Sequence, residues 1–82
     1  MKHELKISPG YFAVVKSGVK NFEIRKDDRN FQVGDILVLR EYVYFAKQEY
    51  TGRQIERRVT YVLRDPLFVK DNFVAMSLKE VT

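Results

Sequence analysis

The residues most able to do chemistry are crowded into one heptapeptide, Lys20-Asn21-Phe22-Glu23-Ile24-Arg25-Lys26. It surrounds a single carboxylate with three cations. Side chains of an extended strand alternate between two faces. Glu23 and Arg25 then share a face, Lys20 enters from the preceding turn, and Phe22 and Ile24 are expected to hold the opposite, core-facing side. One carboxylate among several cations suits a nucleotide. Arg and Lys hold phosphate, and a carboxylate accepts from the exocyclic amine or ring N–H of a base. The same composition also describes a solvated strand face whose Glu–Arg pair contributes little. Lys20 and Glu23 are the candidate catalytic pair, since a desolvated Lys20 would act as a base.

A second cationic group is Arg53, Arg57, Arg58 and Arg64, with Tyr42 and Tyr44 in phase with Arg40 on the preceding strand. Arginines near tyrosines on a sheet serve single-stranded nucleic acid, charge for the backbone and rings for the bases. The alternative is that the tyrosines pack and the arginines are solvated. Other catalytic patterns are missing. Ser8 has a ready role as a helix N-cap, and a nucleophile–His–acid set would depend on His3 near the N-terminus. Asp27 and Asp28 are adjacent and diverge. The four glycines are dispersed and form no phosphate loop.

Composition narrows the classes further. Cys is 0 and His is 1, which removes thiolate chemistry and the usual zinc sets. No metal and no cofactor are expected. Fifteen Lys+Arg against eleven Asp+Glu leave a net charge of +4, a lean toward anionic partners, nucleic acid above all. A chain of 82 residues buries only about 60–65% of its unfolded surface, so one thin-cored domain over residues 1–82 is expected, offering a groove rather than a deep pocket. Residues 1–8 lack the apolar stretch of a signal peptide and no run is long enough to span a bilayer. No membrane association and a cytoplasmic location are the expectation.

The elements that must position these groups follow from periodicity. Leu5 and Ile7 alternate with polar neighbours, predicting a strand over 3–7. Ser8-Pro9 opens a helix, Tyr11, Phe12, Val14 and Val15 form its apolar stripe, and Gly18 ends it, giving a helix over Pro9–Ser17. The period then changes to two. Strands are predicted over 21–26, 36–45, 54–64 and 73–78, with turns at 27–30, 33–35 and 50–53 and a break at Asp65-Pro66. Arg57 shares the apolar phase of Ile55 and Val59, which predicts a bulge or a half-exposed start there. The last strand, apolar on both faces, reads as central. The fold class is mainly β (α+β): five or six strands closing into a small barrel plugged by one N-terminal helix, or an open sheet with that helix on a face.

On these residues the chain resembles a known family. Gly18-x-Lys20-x-x-Glu23-x-Arg25 is similar to the G-x-K-x-x-E-x-R motif of the activating-signal-cointegrator homology (ASCH) domains of the PUA-like superfamily. The likeness extends through HELKISPGYFAVVKSGVKNFEIRKDDRNFQVGD, REY, YTGR, VTYVL and FVAMSL, nearly the whole chain, to short stand-alone bacterial and phage proteins of this type. The resemblance implies a PUA-like β-barrel with a cleft beside the first helix, lined by Lys20, Glu23 and Arg25, and a role in RNA binding tied to transcription coactivation or translation. Ser8, Tyr11, Lys26, Arg53 and Arg58 join these as candidate nucleic-acid contacts on the reading of the elements above. The expected partner is RNA, single-stranded or a modified nucleotide. Some ASCH-like proteins are ribonucleases, and one small type is an amidohydrolase acting on an acetylated cytidine through a Lys and a Thr in this stretch. Here Lys20 matches but Glu23 stands at the Thr position, which favours binding over hydrolysis. A protein-interaction adaptor is the third reading.

Overall fold

The computed structural model describes all 82 residues. The chain runs β1 (Lys2–Ile7), α1 (Pro9–Lys16), β2 (Phe22–Lys26), β3 (Ile36–Val43), β4 (Glu49–Leu63) and β5 (Phe73–Glu80). The strands form one sheet in the order β1-β3-β4-β5-β2. β1 lies parallel to β3, and every other neighbouring pair is antiparallel. The sheet curls into a half-barrel. It does not close: β1 and β2, consecutive in the chain, are its two unpaired edges, and α1 joins them. β5 lies between β4 and β2, the interior place its two apolar faces require.

The core is the concave face. Leu5, Ile7, Leu37, Leu39, Val59, Val74, Met76 and Leu78 project from the strands onto Phe12 and Val15 of α1 and onto Phe31. Only Phe12 and Val15 of the helical stripe are buried, whereas Tyr11 is exposed. Eight residues make a helix too short to hold itself in water, so this apolar contact is what keeps it folded. Its last turn is tied off from two sides. Gly18, at φ +85°, donates to the Val15 carbonyl at 3.0 Å, and the Arg57 guanidinium reaches the Val15 and Lys16 carbonyls at 3.3 and 3.4 Å. A cation on these orphan acceptors complements the helix dipole. Arg57 thus keeps the inward phase of its neighbours without a bulge, because its head group finds the helix end.

Three expectations need correction. The turn read at residues 50–53 is part of β4; the chain reverses through Phe45–Lys47 instead, with Ala46 and Gln48 at positive φ. Gly52, at φ +94°, serves an irregularity in which one residue of β3, Glu41, faces three of β4 between the Arg40–Gln54 and Tyr42–Tyr50 pairs. The second irregularity of β4 falls between Val59 and Tyr61 rather than at Arg57, where the other reading holds: residues 55–58 are half-buried. It throws Tyr61 out of the apolar phase of Val59, and Tyr61 is exposed. Third, β2 faces the other way. Phe22 and Ile24 are 45% and 57% exposed, and Glu23 is the buried residue at 3%.

Candidate functional site

The inverted face of β2 builds the site. A cavity of about 580 Å³ opens between the two edge strands, beneath the start of α1. β1 contributes Lys6 and Ile7, the helix start contributes Ser8 and Tyr11, and β2 contributes Phe22 through Arg25, with Lys20 leading in. Tyr44, just after β3, completes the wall. Phe22 and Ile24 are exposed because they line this opening rather than the core. The volume lies within the range of about 300–1,000 Å³ usual for small-molecule sites.

Glu23 is the organising charge. Its Oε1 accepts from Lys20 Nζ at 2.6 Å and its Oε2 from Arg25 Nε at 2.7 Å. Lys20 Nζ also donates to the Phe22 carbonyl at 2.9 Å and lies 5.3 and 4.8 Å from the ring centres of Tyr11 and Phe22. A buried carboxylate is tolerated only when paired and hydrogen-bonded, and here each oxygen has its own cation. Lys20 retains one N–H, and Arg25 retains its two terminal nitrogens, for anything entering the cleft. Lys6 forms no ion pair and rests its ammonium 4.2 Å from the Tyr42 ring centre. Counting Lys6, Lys20 and Arg25 against Glu23, the cleft carries two excess positive charges. Aromatic faces and unspent cationic donors together accept a flat, anionic ligand.

The structure therefore brings Ser8, Tyr11, Lys20, Glu23 and Arg25 to one cleft. Ser8 caps α1 by position only, its side chain making no cap bond. Lys26 lies in an adjoining cavity of about 440 Å³, which shares Lys6 and Arg25 with the first. Arg53 and Arg58 lie elsewhere. Arg53 donates through Nε and Nη2, both at 2.9 Å, to the buried Glu41 carboxylate, which also accepts from Thr51 Oγ1 at 2.6 Å. Those bonds hold the Glu41 carboxyl below its usual range, against the opposing effect of burial, and push the Arg53 guanidinium up. Arg58 donates to the Gly34 carbonyl at 2.8 Å, and Arg64 pairs with Asp27 at 2.6 Å. Most of the second arginine group thus serves the fold. Lys6 was not among the expected site residues, and Phe22 and Ile24, expected in the core, line the cleft instead. Lys6, an outward residue of an edge strand, carried no signal until the order of strands set β1 across from β2.

A second buried polar centre ties the start of β1 to the loop before β3. His3 Nε2 lies 2.7 Å from Asp35 Oδ2, with the His3 ring edge-on to Phe31 at 4.8 Å. Burial alone would raise the Asp35 pKa. The bonds from His3, the Gln32 N–H and the N-terminal ammonium outweigh it and hold the carboxyl below its usual range.

A relative from Escherichia phage P2, described as "Uncharacterized 12.9 kDa protein in GpA 3'region", is 45% identical over 60 residues, 73% of this chain and 52% of that protein. The chain thus spans about half the length of this relative. Residues 2–78, which contain every cleft residue, match the family described as "Domain of unknown function (DUF3850)", and the chain belongs to that family.

Proposed function

We propose that this chain is an RNA-binding module of the ASCH type, a PUA-like barrel that takes single-stranded RNA or a modified nucleotide into the cleft between β1 and β2. The observation that carries the reading is the Glu23 carboxylate held between Lys20 and Arg25. It fixes two cations with spare donors at the mouth of an aromatic-walled cleft, and the G-x-K-x-x-E-x-R motif supplies all three groups. In this arrangement phosphate meets Arg25 and Lys20, a base stacks among Tyr11, Phe22 and Tyr44, and Glu23 positions its neighbours. Hydrolysis has less support. Lys20 already donates to Glu23 and to the Phe22 carbonyl, so it stands as a hydrogen-bond donor rather than a base.

Fluorescence anisotropy with a labelled single-stranded RNA tests this. Affinity should fall linearly on a log–log plot against salt, because phosphate contacts release counterions. Charged hydrogen bonds are worth about 1.5–3 kcal/mol, so Lys20→Ala and Arg25→Ala should each weaken binding roughly tenfold or more. Melting curves establish that both variants are folded. Unchanged affinity in both folded variants rejects the cleft as the RNA site.

A further inference from the structure

The cleft does not end at Arg25. The second cavity continues along the same unclosed seam, and Lys6 and Arg25 belong to both. Beyond that shared pair it gathers Lys26 and Arg29. Lys26 is exposed and makes no ion pair. Two carboxylates also line this compartment, Glu4 and Asp28, but each has a cation of its own: Arg40 at 3.3 Å from Glu4 and Arg29 at 4.0 Å from Asp28. Four cations against two acids leave this compartment net positive. Its composition differs from the first. It lacks Tyr11, Phe22 and Tyr44. Of its own two rings, Phe31 is buried and Tyr50 is covered by Arg40 at 4.0 Å, so charge predominates at its surface.

A mononucleotide would satisfy the first compartment alone and leave Lys26 with nothing to meet. A polymer whose negative charge recurs at every unit would use both, with a base among the rings and the following phosphates passing Arg25 and Lys6 toward Lys26. We infer that the seam is a channel for the sugar–phosphate backbone, so the ligand of this site is a single strand of two or more nucleotides and not a free nucleotide. The inference rests on the nucleotide reading of the first compartment and adds the length and course of the ligand. The seam suits a single strand because it lies between two edge strands rather than on an open face.

The test compares three probes by calorimetric titration: uridine monophosphate, a hexamer of uridylate, and a hexapeptide of glutamate that matches charge without bases. Wild type should bind the hexanucleotide at least tenfold tighter than the monophosphate and the peptide. Lys26→Ala, a change at an exposed side chain, should weaken the hexanucleotide several-fold and leave the monophosphate unchanged. It should also flatten the log–log salt dependence of hexanucleotide binding by about 0.7, the loss of one phosphate contact on a single strand. Equal affinities for monophosphate and hexanucleotide, with Lys26→Ala silent, overturn the channel and leave the mononucleotide reading standing. Binding of the glutamate peptide as tightly as the hexanucleotide overturns the channel as a nucleic-acid track. Failure of both nucleotide probes overturns the channel together with the reading it rests on.

Discussion

Replacing Glu23 by Gln separates two roles that the carboxylate could have. The side chain is 4% exposed and accepts one charged hydrogen bond on each oxygen. Gln keeps the shape, loses the charge, and presents an NH₂ group to one of the two cations. Breaking a fully buried pair from one side costs about 3–5 kcal/mol. Lys20 and Arg25, however, are 18% and 22% exposed at their side chains, so water recovers part of their hydration. A loss of about 2 kcal/mol follows, which for a domain of this size lowers Tm by roughly 8–16 °C. Meanwhile the cleft gains one unit of positive charge, and Lys20 and Arg25 are freed for phosphate. Stability and affinity should therefore move in opposite directions, with Tm falling and a phosphate-bearing probe binding several-fold tighter at low salt. Differential scanning calorimetry and anisotropy on the same preparation read both. An unchanged Tm with a drop in affinity would instead show that Glu23 touches the ligand and does not hold the cations.

The remaining predictions are simpler. Phe12 is 1% exposed at the centre of the helix–sheet contact, and Phe12→Ala should cost about 3–5 kcal/mol, read by urea denaturation. Gly18→Ala meets no neighbouring atom within 4 Å, so its cost is the left-handed backbone alone, about 1–2 kcal/mol, and a larger loss would point to a contact the geometry does not show. Asp35 and Glu41 both titrate below their usual range. The unfolded chain then binds more protons, so stability is complete above about pH 4.5 and is lost as pH falls through the native values. Glu41→Gln should be less stable at pH 7 and show a shallower acid limb in Tm against pH, and an unchanged limb would refute the role of the Arg53 pair.

Much of the framework was legible because local signals agreed with the fold. The alternation around Leu5 and Ile7, the Ser8-Pro9 start and the Gly18 stop each reflect backbone preferences that need no distant partner. The errors came where a distant partner decides. Apolar Phe22 and Ile24 read as core because alternation assumes that the apolar face is inward. A carboxylate caged by Lys20 and Arg25 reverses that assumption, and nothing within β2 announces it. Gly52 carries the signature of a turn but sits where β4 makes room for the Glu41 carboxylate. The real reversal uses Ala46 and Gln48 at positive φ, residues with no turn preference. The Lys20, Glu23 and Arg25 cluster was visible as a spacing. Its partners Lys6 and Tyr44 were not, because their proximity depends on which strands end the sheet.

That strand order also governs how the chain must assemble. β1 and β2 are neighbours in sequence, yet each pairs with a strand made later: β1 with Ile36–Val43 and β2 with Phe73–Glu80. The first 26 residues have no ladder to join among themselves. During synthesis the parallel pair of β1 and β3 is the earliest ladder that can form, the hairpin of β3 and β4 follows, and the motif strand waits for the final one. Pairings of such long sequence separation make folding slow for a chain of this length. A chain truncated before Phe73 would leave β2 without a partner, and the cleft would have no second wall.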